Sequence, residues 1–393
     1  MISLLEARRI IATALRPLPG MASSLGSALG QVLAEPVRAD AFYPSGDRSM
    51  MDGYVIREDA APGEFRVVGE IPAGAVPQHA LRAGECLRIF TGALLPENGG
   101  RVVPQEDVER VADVVRIAQF PASACVRKRG SEAKPGDVVL PAGAPLGPAE
   151  LAILAQVGDV SPKVIRPLVV RHIATGGEIV APSERPAPGQ IRDTNSTLLA
   201  AQFADLGIAD FHSRRADDDL EELTAIGREP CDLLVLSGGA SVGDYDFGAA
   251  ALRRLGFTIH FDKVSLRPGK PLTFATRGGQ AAFVVPGNPV SHFVCFHVAI
   301  RLAVECLAGR APTWNLVPLE VRGGEPLRPD PRETYWPARA FVSAGRIVVA
   351  PKRWSTSGDT FSLAGTNALC RVHESSPADG RVETLLLDVP AGA

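Results

Sequence analysis

The sequence predicts a multi-domain α/β-plus-β protein. Its centre is an open, mostly parallel α/β sheet, with a β-rich domain inserted before it and a small β-barrel-like domain at the C-terminal end. Three observations carry this. The 39 glycines and 33 prolines among 393 residues favour many turns over helical bundles. Apolar strands alternate with helical patterns from about residue 166. Short apolar runs punctuated by Gly and Pro occupy about 36–140 and the region beyond 313. A chain this long exceeds one ordinary core.

Taken in order, residues 3–16 carry a helical stripe of Leu4, Leu5, Ala7, Ile10, Ile11 and Leu15. Residues 24–34 read as a second short helix. The runs EFRVVGEIPAG, ECLRIFTGA, GRVVPQED, ADVVRIAQF and GDVVLPAG read as strands. PAELAILAQVG is a helix, with Pro148 in its first turn and Gly158 as its stop. PLVVRHIATG is a strand entering a Gly-rich turn, and TNSTLLAAQFADLG a capped helix. DDDLEELTAIG is a helix with an acidic first turn. CDLLVLSGG and AAFVVPGNP are further strands, each followed by a helix. Continuous apolar strands between helices imply a parallel sheet covered on both faces.

Composition excludes several classes. The balance of 41 Lys+Arg against 44 Asp+Glu rules out bulk electrostatic binding of nucleic acid. Cys86, Cys125, Cys231, Cys295, Cys306 and Cys370 form no C-x-x-C and read as buried thiols in a reducing cytoplasm. Glu6, Arg8 and Arg9 interrupt the N-terminal apolar pattern, so it is no signal peptide. His292, His297, Arg301 and Glu305 make 290–309 a core helix rather than a membrane span. The seven histidines lack metal-ligand spacing and read as ordinary surface or core residues. G-x-G-x-x-G and the P-loop are both missing.

The chemistry concentrates in three strand-end turns: Thr175-Gly176-Gly177-Glu178, Ser237-Gly238-Gly239-Ala240-Ser241-Val242-Gly243-Asp244-Tyr245-Asp246 and Pro286-Gly287-Asn288-Pro289-Val290-Ser291. In an open α/β sheet, ligands bind outside the carboxyl ends of the strands, so all three turns fall on the binding edge. Glycine admits close backbone approach and helix N–H groups hold anions, which suits a phosphate-bearing substrate. If 259–267 is a strand, Lys263, Ser265 and Arg267 share one face, and Pro268-Gly269 presents Lys270. Three cations in so short a stretch suit an oxyanion. Ser49-Met50-Met51-Asp52-Gly53-Tyr54 and Thr91-Gly92-Ala93 are weak signals individually.

Together with Arg267-Pro268-Gly269-Lys270-Pro271, these motifs in this order resemble those of the molybdopterin molybdenumtransferase (MoeA) family, which includes the C-terminal domain of gephyrin. The resemblance covers nearly the whole chain. It implies the molybdopterin-binding fold and a four-part architecture. The parts are a discontinuous linker and dimerisation domain (1–44 and 136–165), the β-rich domain (45–135), the α/β domain (166–312) and the C-terminal β-domain (313–393). It implies insertion of molybdenum from molybdate into adenylylated molybdopterin, with release of AMP in a Mg2+-dependent step. It implies a cytoplasmic homodimer whose active site is shared between subunits, with a molybdopterin adenylyltransferase and molybdoenzymes as possible partners, and neither nucleic acid nor membrane.

Carried onto this sequence, the resemblance makes Asp52, Thr91, Glu178, Asp218, Asp246, Lys263, Arg267 and Lys270 catalytic candidates. Glu178 and Asp246 would hold the metal. Gly238, Gly239, Ser241, Gly243, Pro286, Gly287, Asn288, Ser291, Arg332 and Ser357 would bind substrate. The sequence departs from the family at four places: Arg48-Ser49-Met50 stands for Asn-Ser-Ala, Gly177 for an Asp, Glu132 for an Asp and Arg267 for a Lys. Two other readings fit the same residues, a non-catalytic dimeric scaffold and a molybdopterin adenylyltransferase.

Overall fold

A computed structural model describes residues 1–78, 80–238, 247–374 and 380–388. The chain divides into two compact units. The first comprises Met1–Met21, Gly30–Ala34 and Lys163–Ala393; the second comprises Ala22–Leu29 and Glu35–Pro162.

The first unit holds a six-stranded α/β sheet. Its strands are β1 (Val169–Thr175), β2 (Asp210–Ala216), β3 (Leu233–Ser237), β4 (Thr258–Phe261), β5 (Thr273–Arg277) and β6 (Gln280–Val285). They lie in the order β2-β1-β3-β6-β5-β4. The β1–β2, β1–β3 and β3–β6 pairs are parallel, while β5 pairs antiparallel with both β6 and β4. The helices are α1 (Asn195–Asp205), α2 (Leu220–Ile226), α3 (Phe247–Arg254) and α4 (Pro289–Cys295). The apolar run of β3 serves both faces. Leu233 and Val235 join a core with Leu199, Phe203 and Val294, while Leu234 and Leu236 join one with Leu223 and Leu252. Period-two alternation within an all-apolar strand is what a doubly covered sheet requires.

Beyond α4 the helix continues through a π segment, Phe296–Ile300, into Arg301–Leu307. This stretch is apolar and long enough to cross a membrane, yet 83% of it is buried inside the fold. Arg301 Nε lies 3.2 Å from Glu305 Oε1 one turn away, which satisfies both charges at modest cost. Further on, Leu316–Val321, Glu333–Ser343, Arg346–Pro351, Ala368–Val372 and Arg381–Leu386 close on themselves as a small barrel, because Glu333–Ser343 pairs with both Arg346–Pro351 and Ala368–Val372.

The second unit is a mixed six-stranded sheet of Gly99–Pro104, Gly53–Arg57, Glu85–Ile89, Gly63–Ile71, Val114–Ile117 and Glu109–Val111, in that order. The helix Pro148–Gln156 begins at the expected proline and ends before Gly158, whose φ of +73° stops it.

Two expectations need correction. Residues 24–34 do not form a helix: only Leu25–Ser27 make one 3-10 turn. Gly26 and Gly30 weaken any helix there, and Leu25 N and Ala34 N donate instead to the carbonyls of Val160 and Lys163. The stretch 259–267 is not one strand. It leaves the α/β sheet after Phe261, and Leu266–Arg267 pair in parallel with Glu333–Thr334 of the barrel.

Candidate functional site

The parallel register decides where the turns fall. Thr175 is level with Ala216, Ala174 with Ser237, and Ser237 with Val285. The strands therefore end together, and Gly176, Asp217, Gly238 and Pro286 leave the sheet along one edge. The Thr175–Glu178 and Pro286–Ser291 turns and the start of the Ser237 turn share that edge. Gly239, Ser241, Gly243 and Asp246 lie outside the described residues.

Gly238 has φ +94°, and a Cβ there would stand 2.7 Å from the Thr175 carbonyl oxygen and 2.8 Å from its Oγ1. Only glycine permits that approach. Its N–H donates to the Val285 carbonyl at 3.1 Å, which extends the β3–β6 ladder to the edge. Gly287 follows β6, and the Gly287 carbonyl accepts from Asn195 Nδ2 at 2.7 Å, tying the turn to α1. Pro289 opens α4 as its first helical residue, with Asn288 as N-cap.

The barrel closes onto this turn. Asn288 Nδ2 donates to Ser357 Oγ at 2.9 Å, and Val290 N donates to the Ser357 carbonyl at 3.0 Å. Ser357-Gly358 and Asn288–Val290 thus lie together. Ser291 itself is buried.

The cationic segment keeps its expected alternation despite the broken strand. Val264, Leu266 and Pro268 are buried while Lys263, Ser265 and Arg267 are half-buried. Gly269, with φ +118°, leaves room for Cys295 Sγ, which would lie 2.7 Å from a Cβ. Lys270 is exposed, and among the described residues no ion pair holds it. Arg267 and Arg332, however, are not free cations. Arg267 Nη1 reaches Asp330 Oδ2 at 2.7 Å, and Arg332 Nε reaches Asp330 Oδ1 at 3.2 Å. Burial pushes the Asp330 carboxyl up, but the backbone N–H and guanidinium of Arg332 and the charge of Arg267 hold it below its ordinary value. Two arginines and one aspartate leave a single net positive charge beside the hairpin.

The acidic side differs from expectation. The Glu178 carboxylate folds over Gly176, its Oε2 2.6 Å from where a Cβ would stand. Asp218 is exposed and precedes the N-cap Asp219, whose side chain accepts from Glu222 N at 2.8 Å. The neighbouring Asp217 is the one that turns to the sheet edge, its Oδ1 3.5 Å from a Cβ built on Gly177. Residue typing missed Asp217; the available signal was its place one residue beyond β2. Glu178 and Asp217 bring two carboxylates to the edge, and no trio of His, Cys, Asp or Glu gathers for a metal among the described residues. Two hard oxygen ligands fit what a hard cation such as Mg2+ would require.

In the second unit the structure joins two candidates. Asp52 Oδ1 accepts from Thr91 N at 2.8 Å and from Thr91 Oγ1 at 2.7 Å. The Thr91 backbone N–H, then its hydroxyl, hold the Asp52 carboxyl below the usual range, so it stays an exposed anion. Glu132 pairs instead with Arg127 at 3.0 Å.

Sequence typing also missed a buried polar network under the edge. His172 on β1 and His292 on α4 both contact Ser237 Oγ at 2.6 Å through Nε2. Burial holds both imidazoles neutral, down to about 3. Among the described residues, three buried polar atoms around these strand ends lack a hydrogen-bond partner: Thr175 Oγ1, Asn195 Oδ1 and His292 Nδ1. Such atoms mark a place for a polar ligand or water.

Known proteins match this chain. Residues 2–158 match the family region described as "MoeA N-terminal region (domain I and II)", and residues 171–305 match "Probable molybdopterin binding domain". These define a multi-domain protein of the molybdopterin-binding class. A curated molybdopterin molybdenumtransferase of Nostoc sp. is 36% identical, over 93% of this chain and 88% of the relative. That of Bacillus subtilis is 31% identical, over 88% and 84%. A solved structure, the molybdopterin biosynthesis MoeA protein of Pyrococcus horikosii, superposes with TM-score 0.80 at 27% identity, covering 99% of this chain and all of that one. The chain belongs to the MoeA family.

Proposed function

We propose that this chain, as an enzyme of molybdenum cofactor biosynthesis, inserts molybdenum from molybdate into the dithiolene of adenylylated molybdopterin and releases AMP with Mg2+. The observation that carries it is the shared edge. Polar, glycine-bearing strand ends lie beside Ser357, on a domain of the molybdopterin-binding class.

The pterin supplies both sulfurs, so no cysteine ligand is needed, and the cysteines are all free thiols. Gly238 and Gly287 open the backbone to the pyrophosphate, whose charge Lys263 and the net cation of Arg267–Asp330–Arg332 offset. Lys270, Ser291 and Ser357 take molybdate. Glu178 and Asp217 would hold Mg2+, together with Asp246. When bound, that ion neutralises charge on the phosphoanhydride as it breaks. Asp52, oriented by Thr91, is supplied by a second copy of the chain in a homodimer of the four-part architecture read from the sequence. A cytoplasmic setting, the adenylyltransferase as donor of the substrate and molybdoenzymes as acceptors belong to the same proposal.

The test is AMP release from adenylylated molybdopterin with Mg2+, with and without molybdate. Release that requires molybdate is expected. Adenylyl transfer from ATP to molybdopterin, or no turnover by an intact dimer, would refute the reading in favour of an adenylyltransferase or a scaffold.

A further inference from the structure

The network contains a chain of hydrogen bonds, buried at His172, Ser237 and His292 and reaching the surface at Ser213, whose direction can be deduced. Its members come from three neighbouring strands and two helices of the first unit. Asp193 precedes α1; Ser196 is in α1; Ser213 is in β2, His172 in β1, Ser237 in β3 and His292 in α4. The contacts run in sequence. Ser196 Oγ lies 2.5 Å from Asp193 Oδ2, Ser213 Oγ 2.9 Å from Ser196 Oγ, and His172 Nδ1 2.8 Å from Ser213 Oγ. Then His172 Nε2 and His292 Nε2 each lie 2.6 Å from Ser237 Oγ.

A carboxylate can only accept. The Ser196 hydroxyl proton therefore goes to Asp193. Ser196 has no second proton, so Ser213 must donate to it. Ser213 has then spent its proton and must accept from His172, which carries its hydrogen on Nδ1. The weaker approach of Ser196 Oγ to the same Nδ1, 3.4 Å, agrees with a hydrogen there. A neutral imidazole bears one N–H, so His172 Nε2 is a lone pair and accepts from Ser237. Ser237 must in turn accept from His292, which carries its hydrogen on Nε2. Every bond points toward Asp193, and the bare acceptor emerges at the far end, on His292 Nδ1, an atom with no hydrogen-bond partner among the described residues. One acid thus sets two tautomers across the sheet.

We propose that Asp193 is a positioning residue: its one-way relay fixes the tautomers of His172 and His292 and so holds the Ser237–Gly238 strand end and the Asn288–Ser291 turn in the geometry that binds the adenylylated pterin. The substrate half rests on the function proposed above; the relay itself does not. Asp193 touches neither the turn nor the reacting groups, and acts through its partners. Ser196 N donates to Asp193 Oδ1 at 3.0 Å, so the group facing Ser196 Oγ is uniquely the second oxygen. In D193N the amide oxygen keeps that backbone bond, and the amide nitrogen faces Ser196 Oγ as a donor. Every bond can then reverse: Ser196 donates to Ser213, Ser213 to His172 Nδ1, His172 Nε2 to Ser237, and Ser237 to His292 Nε2. The isosteric variant flips both rings to the other tautomer without removing a contact.

The experiment is long-range nitrogen–proton NMR of the full-length protein labelled in histidine, which reports the protonated nitrogen of each ring, alongside fluorescence titration with adenylylated molybdopterin. The wild type is expected to show His172 protonated at Nδ1 and His292 at Nε2. D193N is expected to show both reversed, with pterin affinity about tenfold weaker and an unchanged melting profile. S196A is the second variant. It keeps the backbone bond to Asp193 but frees Ser213 to donate to His172, and is expected to lose the single His172 tautomer. Wild-type rings with the opposite tautomers would overturn the relay. Reversed rings in D193N with wild-type pterin affinity would overturn the positioning role. The ring spectra need no pterin, so failure of the relay and failure of the substrate reading show separately.

Discussion

Replacing Lys270 with alanine separates binding from folding. Lys270 is exposed on a turn whose backbone is held independently: Val264 N and Leu272 N both donate to its carbonyl at 3.0 Å. Those bonds survive truncation, and no described ion pair is broken, so K270A should unfold within about 0.5 kcal/mol of wild type. If the ammonium donates to molybdate, its loss removes one charge-assisted hydrogen bond, about 1.5–3 kcal/mol. Half-saturation by molybdate should then rise roughly 10- to 150-fold. R267A is the contrast. Its guanidinium pairs with Asp330, so truncation also costs stability, about 1 kcal/mol after discount for part-exposure and for the Arg332 contact that Asp330 retains. Molybdate titrations of AMP release, with thermal melts of the same samples, give both numbers. Wild-type half-saturation in K270A would refute the placement of molybdate at this hairpin, and a large loss of stability would refute the backbone reasoning.

Gly238→Ala should destabilise the first unit by about 1–3 kcal/mol, because a Cβ at φ +94° also meets the Thr175 carbonyl; an unchanged melt would show that the strand end relaxes freely. Thr91→Val removes one of the two bonds to Asp52 and should move its carboxyl back toward the ordinary value, read by NMR titration. The sign follows from the lowered folded pKa: the Asp52–Thr91 bonds contribute at neutral pH, and that contribution fades as pH falls through the acid range. Cys86 and Cys295, buried with thiols pushed up to about 12, should resist alkylation in the native protein, whereas the half-buried Cys125 should label first; mass spectrometry of quenched samples decides.

Much of the architecture was legible because strand and helix periods are written in apolar spacing. Leu233 to Leu236 announce a doubly covered strand, and Pro148 and Gly158 bracket a helix. The common edge of the polar turns followed from parallel connectivity alone. The 24–34 error had a local cause, since apolar spacing there competes with two glycines and with carbonyls that are distant in sequence. The role of Arg267 was half legible. Its charge is in the sequence, but Asp330, which neutralises it, lies 63 residues away. The His172–Ser237–His292 network was invisible for the same reason. It follows no short spacing rule, and only the register of neighbouring strands brings its members together.

The most direct measurement is anomalous diffraction at the molybdenum absorption edge from crystals soaked in molybdate. One peak is expected within hydrogen-bond reach of Lys270 Nζ and the Ser291–Ser357 surface. A molybdenum peak away from the strand-end turns, with that surface empty, would contradict the shared site for pterin and oxyanion.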